Sequence, residues 1–490
     1  MKHSLSAISL MLVLLMAASA CGASGTTADT TAAAADTTTA APETEPLDYT
    51  DPGVDYGGET FRFLDYKKAT YKWQANGYSE LYCLEENGEP INDAQYQRNR
   101  AVEEQLNIKL EPYTVEKPSD ELQKFVLAGD DEVKAAYLIS NSLVNLLNTE
   151  NMLQDLSAIP TIDLSASRWN QSALETFTLG GEVKVATGDI CLYSQFSPMM
   201  VFFNKQVAEE FKITDLYDLA RSGKWTWDKC AEYCKMVAGD VNGDAVYDEN
   251  DRYGMAEQLW IVGSLVTSAD IDFTTREKDG SIKMTLNSPR MADFIEFIIP
   301  FLNDRQTNCV SQQFEGKYSN VFYDLHIPMF KDNQLLFNLQ QLLIGFELRA
   351  MDTDYGLLPI PKFGEEQEDY CTPISPSWTT VISIPATNAD TERTGVVIDA
   401  LAFHSQQLVT PAYIDTTIRH KSLRDEDSAE MLEMILANMK YDIAQIYNWG
   451  SVYNNVNGLG TNNNANFASA WAGMESSVNA ALEKTMEQFK

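Results

Sequence analysis

The chain has 490 residues, of which 44% are hydrophobic and 10% aromatic, and its formal net charge at pH 7 is −35. A chain of this length and apolar content can bury the cores of two or three domains. The acidic balance, without any basic run, argues against nucleic-acid binding and against binding along an anionic membrane, because both need clustered Lys and Arg.

The N-terminal segment predicts export followed by a lipid anchor. Lys2 and His3 precede the apolar run 8–16, which is too short to span a bilayer, since a spanning helix needs about 20 residues. The next residues, Ala18-Ser19-Ala20-Cys21, resemble a bacterial lipoprotein signal, although Ala18 stands where such signals usually place Leu. The resemblance implies that Cys21 becomes the lipidated N-terminus. The alternative is an ordinary secretory signal that contains a cysteine.

A stretch rich in Thr, Ala, Asp and Glu follows Cys21 and is too poor in large apolar side chains to fold. It favours lipidation, because an anchored protein needs such a tether between the membrane and its folded part. We therefore expect a signal peptide over 1–20 and a disordered tether over 21–56. The protein is expected at the cell surface, anchored to the outer face of the cytoplasmic membrane.

Strands alternate with helices in the first part of the folded region. Runs of β-forming residues predict strands over 60–64, 107–113 and 135–139, and helical periodicity predicts helices over 94–106 and 120–127. This order is typical of βαβ units, so the sequence predicts an α/β fold with a largely parallel sheet.

The alternation continues towards the C-terminus. Thr226 is suited to cap one helix, and Asp427 with Glu430 predicts a capping box for another. Pro300 should bend or end the helix that Pro289 begins. Further strands are predicted over 182–186, 199–203, 355–361 and 379–384, and further helices over 206–211, after Thr226, from Pro289, over 393–404 and over 428–439.

Three short motifs occur in a recognisable order. Asn204-Lys205 follows the apolar residues 200–203, Trp225-Thr226-Trp227-Asp228 comes next, and the segment 354–362 has the sequence DYGLLPIPK. Together they resemble the extracellular solute-binding proteins, family 1, which are the carbohydrate-type receptors of ABC importers. The resemblance implies a two-lobed, periplasmic-binding-protein-like α/β fold, with hinge crossings and a ligand cleft between the lobes.

The resemblance also implies how the chain divides. The crossings between the lobes are expected near 190–196 and 372–378. The closed form of such a receptor is the one that an importer recognises, so hinge closure is part of the implied function. The expected parts are lobe one over 57–192 and 373–425, lobe two over 193–372, and a C-terminal helical region that packs on the lobes over 426–490.

Residues that the inferred fold places at the cleft are candidates for sugar binding. Sugar rings offer apolar faces and a rim of hydroxyls, which suit aromatic rings and side-chain amides or carboxylates. Packing in a core is the alternative for each candidate. Trp449 is expected at a surface or cleft rim, because Gly450 and an Asn-rich stretch follow it. The candidates are Asp65, Tyr66, Trp73, Tyr193, Gln195, Trp260, Gln340, Gln341, Trp378 and Trp449.

The segment 240–251, DVNGDAVYDEND, has the spacing of a calcium-binding loop. Side-chain oxygens stand at positions 1, 3, 5, 9 and 12 of the loop, with a backbone carbonyl at position 7. Ala245 stands where glycine is preferred, which costs on the order of 1 kcal/mol if its φ is positive. The alternative is a solvated acidic turn. The predicted ligands of a structural Ca²⁺ are Asp240, Asn242, Asp244, Val246, Asp248 and Asp251.

Other chemistry finds little support in the sequence. The cysteines after Cys21 are scattered, without a CxxC motif or a Cys/His cluster, so zinc is not expected and no disulfide pairing is fixed. Cys230 and Cys234 lie one helical turn apart, and burial is the better interpretation for both. The histidines form neither an HExxH motif nor part of a serine elbow.

The sequence therefore predicts a non-enzyme. The expected protein is a lipid-anchored, monomeric receptor that captures a carbohydrate, an oligosaccharide in particular, for the permease subunits of an ABC importer. Two alternatives stay open. One is a secreted carbohydrate-active enzyme, whose paired carboxylates the sequence does not exclude. The other is a ligand-sensing lipoprotein that signals to a membrane kinase.

Overall fold

The computed structural model describes residues 48–67, 79–81, 83–348, 351–414 and 425–489. Cys21 and Trp73 lie outside the described residues, as do the predicted signal peptide and most of the predicted tether. No helix in the described part of the chain is long and apolar enough to cross a membrane.

Strands and helices alternate through most of the described chain, so the predicted α/β class is confirmed. The strands are β1 (Glu59–Tyr66), β2 (Ile108–Val115), β3 (Ala135–Ile139), β4 (Met199–Asn204), β5 (Tyr253–Glu257), β6 (Thr274–Arg276), β7 (Ile282–Met284), β8 (Asn308–Val310), β9 (Leu335–Gln341), β10 (Tyr355–Leu358), β11 (Thr372–Pro373), β12 (Thr380–Ser383) and β13 (Met439–Lys440). The helices are α1 (Pro90–Leu106), α2 (Pro118–Ala128), α3 (Val144–Leu147), α4 (Gln171–Phe177), α5 (Leu192–Phe196), α6 (Lys205–Glu210), α7 (Leu216–Arg221), α8 (Trp227–Val237), α9 (Val262–Ser268), α10 (Pro289–Leu302), α11 (Ile327–Lys331), α12 (Gly345–Leu348), α13 (Thr391–His404), α14 (Thr410–Ile414), α15 (Glu426–Ala437), α16 (Ala444–Tyr447), α17 (Val452–Thr461) and α18 (Phe467–Glu487).

The first sheet has the strand order β12-β3-β1-β2. β1 lies parallel to both β2 and β3, as the βαβ pattern predicts. β12 is antiparallel to β3, with Thr380 opposite Ile139 and Ser383 opposite Ala136. The sheet is therefore completed by a strand from far along the chain.

The second sheet has the order β10-β4-β9-β5-β8 and is mixed. β5 runs parallel to β8 and β9, whereas β4 runs antiparallel to β9 and β10. Two small strand pairs lie outside these sheets. β6 and β7 are antiparallel, and β11 and β13 are parallel.

The chain passes from the first sheet to the second and later returns. Ala186 still pairs with Ile382 of β12, and Met199 begins β4 of the second sheet. β10 is the last strand of the second sheet along the chain, and β12 lies again in the first. We call residues 187–198 the first crossing and residues 372–379 the second crossing. The predicted crossing positions fall inside these segments, while the finer domain limits stay predictions.

The first sheet separates two apolar clusters, because consecutive residues of a strand point to opposite faces. A third cluster surrounds the second sheet. One face of the first sheet packs against α1 and α13 through Phe63, Tyr137, Ile382, Val102 and Leu401. The other face packs against α2 and the C-terminal segment through Leu64, Ala136, Val381, Leu122 and Trp449.

The residues after β13 contact both parts of the chain. The Trp449 indole N–H donates to the Thr485 hydroxyl at 2.9 Å, and this hydroxyl donates to Asn148 Oδ1, beside the first sheet, at 2.7 Å. The hydroxyls of Tyr453, on α17, and of Ser264, on α9, lie 2.9 Å apart. The C-terminal region is therefore a third connection, in addition to the two crossings.

Local predictions for a helix cap and for two cysteines are confirmed. Thr226 caps α8 by accepting the Lys229 N–H at 3.4 Å. The structure adds a cap at Ser288, which accepts the Met291 N–H at 3.1 Å at the start of α10. Cys230 and Cys234 are both fully buried, with sulfurs 4.0 Å apart. No disulfide bond joins any two cysteines among the described residues.

Two local predictions are wrong. The predicted strand 182–186 forms only isolated pairs, because the Val183 N–H donates to Asp155 Oδ1 (2.8 Å) and the Val183 carbonyl accepts the Leu156 N–H (2.8 Å) instead of joining a ladder. The helix predicted over 428–439 begins earlier, since the Asp425 carboxylate, and not a box at Asp427, caps it by accepting the Ser428 N–H at 2.7 Å.

Candidate ligand-binding site

The two crossings lie side by side and meet the end of β9. The Ser375 N–H donates to the Ser197 carbonyl at 3.1 Å, and Pro198 pairs with Ile374. The Leu342 N–H, directly after β9, donates to the Pro198 carbonyl at 2.9 Å. Both crossings and the carboxyl end of a central strand of the second sheet therefore meet at one place.

Two predicted ligand residues, one from each crossing, are neighbours here. The ring centroids of Tyr193 and Trp378 lie 6.1 Å apart, with the ring planes at 40°. Tyr193 lies on α5 and is partly exposed, whereas Trp378 is 9% exposed. A turn holds Trp378 in place, because its N–H donates to the Ser375 carbonyl at 3.0 Å.

Further aromatic rings surround this pair, and sequence reasoning did not select them. Phe196 packs edge-on against Tyr193 at 6.1 Å, against Phe346 at 5.4 Å and against Tyr413 at 4.8 Å. Phe346 comes shortly after Gln340 and Gln341 in the sequence, and this proximity could have indicated that it belongs to the same site. Tyr413 carried no such indication in the sequence.

Gln340 and Gln341 lie at the carboxyl end of β9, opposite Met200 and Met199 of β4. They are 4% and 5% exposed. Within the described residues, neither side-chain amide has a hydrogen-bond partner, so both retain donors and acceptors that ligand hydroxyls could use. As consecutive strand residues they point to opposite faces, so the amides cannot both be directed towards Tyr193.

Trp260 lies at the same edge of the second sheet. It follows β5, which is parallel to β9, so the carboxyl ends of the two strands share this edge. Its side chain is 38% exposed, whereas every other tryptophan among the described residues is 9% exposed or less. Trp260 therefore keeps its place among the candidates.

Gln195 lies on α5 beside the aromatic rings. Its carbonyl accepts the Tyr413 hydroxyl at 2.8 Å, and its side-chain Nε2 lies 3.5 Å from Asp189 Oδ1. Burial raises the pKa of Asp189 to about 6, while the Thr410 hydroxyl, donating at 2.6 Å, opposes that rise. Gln195 thus joins the first crossing to α14.

Asp65 and Tyr66, at the end of β1, are engaged in the protein's own structure. The Asp65 carboxylate is 1% exposed and accepts the Leu81 N–H at 3.1 Å and the hydroxyl of Ser79. The Tyr66 hydroxyl accepts the Ile139 N–H at 3.1 Å. Burial also raises the pKa of Tyr66. Asp65 thereby fixes the segment 79–81 to the end of β1.

Solved structures of ABC substrate-binding proteins share this architecture. UgpB from Mycobacterium tuberculosis, in complex with glycerophosphocholine, gives a TM-score of 0.56 at 15% identity over 82% of this chain and 98% of that one. A sugar transporter protein from Rhizobium etli in an open conformation gives 0.54 at 12% identity over 88% and 98%. A substrate-binding protein from Listeria monocytogenes in complex with cycloalternan gives 0.52 at 14% identity over 88% and 98%. This chain has the substrate-binding protein fold.

The predicted periplasmic-binding-protein-like fold is therefore confirmed. Identities of this size show the fold and leave the ligand of this chain to be argued from its own residues. No protein-family model and no curated protein sequence matches the chain.

Trp449 occupies a different environment from the one predicted. It is 1% exposed, stacks on Tyr447 with ring centroids 5.0 Å apart and planes at 19°, and donates its indole N–H to Thr485. The prediction of a surface or cleft-rim position is wrong, because α18 covers the ring.

The segment 240–251 folds as a turn held by its own acidic side chains. Asp240 accepts the Gly243 and Ala245 N–H groups at 2.7 and 2.8 Å, and these hydrogen bonds lower its pKa. Asp251 accepts the N–H groups of Val241 at 3.1 Å and Asp248 at 2.9 Å. The backbone of Ala245 has φ of 64°, the positive value that the sixth loop position demands.

The remaining predicted metal ligands make similar local bonds. Asn242 Oδ1 accepts the Asp244 N–H at 2.9 Å, and Asp244 Oδ1 accepts the Val246 N–H at 2.8 Å. Within the described ranges, no group of three or more His, Cys, Asp or Glu side chains is arranged to hold a metal ion. Calcium binding by this loop stays a prediction.

Two histidines, His326 and His404, lie in the described part of the chain. His326 is fully buried, and burial lowers its pKa to about 3, so its imidazole is neutral. His404 lies 2.9 Å, through Nε2, from Gln105 Oε1.

Proposed function

We propose that this protein is a solute receptor that captures a carbohydrate, an oligosaccharide in particular, and delivers it to an ABC importer. The observation that carries the proposal is the meeting of Tyr193 and Trp378, one aromatic ring from each crossing. Segments that cross between lobes move when the lobes close, so a ligand held by both rings would stabilise one hinge position.

The chemistry around these rings suits a sugar. Aromatic faces stack on the apolar face of a sugar ring, and the side-chain amide of Gln340 or Gln341, whichever lies on the same face as the rings, can pair with hydroxyls. Two of the related structures support this choice, since one is described as a sugar transporter and another holds cycloalternan. UgpB holds glycerophosphocholine instead, so this fold also accepts other polar ligands.

A thermal-shift screen of the purified protein tests the proposal. The panel contains malto-oligosaccharides, raffinose, cycloalternan and glycerophosphocholine. An oligosaccharide present at 100 times its Kd should stabilise the folded state by about 2.7 kcal/mol and raise the melting midpoint. Product analysis after long incubation accompanies the screen. Hydrolysis of the bound sugar would favour the enzyme alternative, and a response to glycerophosphocholine alone would contradict the carbohydrate assignment.

The lipid anchor is part of the same proposal, and it rests on the residues before Cys21. A receptor must stay near its permease, and a lipidated Cys21 followed by a long tether would achieve this. Cys21→Ser should move the protein from the membrane fraction to the soluble fraction or medium. Cys371→Ser, a change of the same type in the folded part, should leave the protein on the membrane. Retention of the Cys21→Ser protein on the membrane would contradict the anchor.

We also propose that the loop 240–251 binds a structural Ca²⁺. The positive φ of Ala245 and the cradle of N–H groups around Asp240 support the proposal. Ca²⁺ at 100 times its Kd should stabilise the fold by about 2.7 kcal/mol, so a chelator should lower the melting midpoint and added Ca²⁺ should restore it. Asp240→Ala should abolish this response, and Asp279→Ala, in an unrelated exposed turn, should preserve it. Identical melting with and without chelator would rule the site out.

A further inference from the structure

Glu80 contacts both crossings through one buried carboxylate. The residue is 1% exposed, and its Oε2 accepts the Leu192 N–H at 2.6 Å. Its Oε1 accepts the Tyr193 N–H at 3.0 Å and the hydroxyl of Thr380. Leu192 and Tyr193 belong to the first crossing, and Thr380 directly follows the second. Glu80 therefore holds the backbone of Tyr193, whose ring lies next to Trp378.

The segment that carries Glu80 is itself fixed to the first sheet. The Arg98 guanidinium, on α1, donates to the Glu80 carbonyl at 2.7 Å, and Asn99 Nδ2 donates to the Leu81 carbonyl at 2.8 Å. The Leu81 N–H donates to Asp65, at the end of β1. The backbone of Glu80 is thus tied to α1 and β1, while its side chain reaches the crossings.

The carboxyl of Glu80 titrates near neutral pH. Burial raises its pKa from an ordinary 4.5 to about 7, and the nearby Asp65 adds to the rise. The hydrogen bonds from Thr380, Tyr193 and Leu192 favour the charged form and oppose the rise, but burial outweighs them.

Other titratable or charged groups face Glu80 from each element packed around it. Asp65 lies on β1, Arg98 on α1, Tyr137 on β3 and Cys191 next to α5. Burial raises the pKa of both Tyr137 and Cys191 well above their ordinary values, so both stay neutral around pH 7. Asp189, in the first crossing itself, also has a pKa raised by burial, to about 6, so the Glu80→Gln variant is needed to separate the titration of Glu80 from that of Asp189.

We propose that Glu80 is a positioning residue of the hinge, and that its proton determines how firmly the first crossing and Tyr193 are held. The effect on ligand capture rests on the function proposed above, whereas the hold on the crossing does not. The protonated carboxyl keeps the crossing seated. The charged carboxylate favours an arrangement in which water reaches it.

The direction of this effect follows from proton linkage. A buried carboxyl with a raised pKa binds its proton more tightly than the same group exposed to water, so protonation favours the seated arrangement. That stabilisation is greatest below about pH 4.5 and falls as the pH rises, reaching its lower limit above about pH 7. Ligand capture by Tyr193 and Trp378 accordingly weakens on the alkaline side of neutrality.

Hydrogen exchange of the ligand-free protein tests the hold directly. The peptide that contains Leu192 and Tyr193 is followed at pH 6 and pH 8, and rates are corrected for the intrinsic pH dependence of exchange. From pH 6 to pH 8, its protection should fall roughly tenfold in the wild-type protein. Glu80 loses its proton when the crossing opens, so a higher pH favours the open arrangement. Glu80→Gln, which cannot titrate, should lose this pH dependence. Glu104→Gln, an exposed glutamate of α1, should behave as wild type.

Thr380→Val provides a second variant that keeps the titrating group. The Thr380 hydroxyl favours the charged carboxylate, so its removal should raise the pH at the midpoint of the exchange-protection profile. A purely structural role for Glu80 predicts no such shift. Equal pH profiles in the wild type and Glu80→Gln would overturn the proposal. If Glu80→Gln does not fold, an unmoved midpoint in Thr380→Val would overturn it. A pH-dependent hold with pH-independent sugar affinity would overturn only its link to capture.

Discussion

Replacement of Trp449 by alanine should lower the free energy of unfolding by about 3–5 kcal/mol, the cost of removing a large buried aromatic side chain. The ring is 1% exposed and stacks on Tyr447 beneath the first sheet. Its loss also removes the donor to the Thr485 hydroxyl. Chemical denaturation of the purified variant measures the change, which should appear as a lower midpoint.

Trp449→Phe is the matched variant for this prediction. It keeps a ring to stack on Tyr447 and should recover more than half of the lost stability. Sugar affinity, measured below the unfolding transition, should be the same for the wild type and Trp449→Phe. A folded Trp449→Ala protein with unchanged stability and weakened sugar binding would show that the ring belongs to the ligand site.

Removal of either ring at the crossings should weaken sugar binding at least tenfold. Stacking contributes about 0.5–1.5 kcal/mol beyond the area that the ring buries, and tenfold in Kd corresponds to about 1.4 kcal/mol. Calorimetry of Tyr193→Ala and Trp378→Ala with the best sugar from the screen measures the loss. Because Trp378 is only 9% exposed, Trp378→Ala should also melt earlier. Tyr193, which is more exposed, gives the cleaner separation of binding from stability.

Tyr96→Ala is the control for Tyr193→Ala. Tyr96 is a partly exposed tyrosine on α1 whose ring contacts Arg100, 5.6 Å from the ring centroid. Its removal should leave the sugar affinity unchanged. Wild-type affinity in both Tyr193→Ala and Trp378→Ala would place the ligand elsewhere in the fold.

The sequence predicts the first sheet well, because the information that defines it is local. Runs of β-forming residues and helical periodicity locate β1, β3 and α2 to within a few residues of their observed ends. The segment 182–186 fails for a physical reason. It has the composition of a strand, but Asp155 and Leu156 bond its backbone, and a partner of this kind is set by the tertiary fold.

The candidate site is only partly predictable for the same reason. Tyr193 and Trp378 were found because the resemblance to a receptor family places both at crossings. The position predicted for Trp449 was wrong because α18, which is distant in the sequence, covers the ring. The same helix approaches Gly450 so closely that a Cβ there would lie 2.6 Å from the Val478 backbone nitrogen. Gly450 therefore marks a close approach of two segments, and it does not mark an exposed turn. Glu80 stands in a stretch without periodicity, so only its hydrogen bonds reveal it.

The order in which the chain is synthesised determines when the first sheet can be completed. β3 acquires its neighbour β12 only when residues 380–383 are available, and Trp449 and α18 cover the sheet later still. A nascent or truncated chain that ends before Thr380 therefore leaves one edge of β3 unpaired and an apolar face uncovered. Such an edge invites pairing with other chains. The first half of this protein thus depends on the last helices to finish folding, and fragments of it should aggregate, whereas the full chain should not.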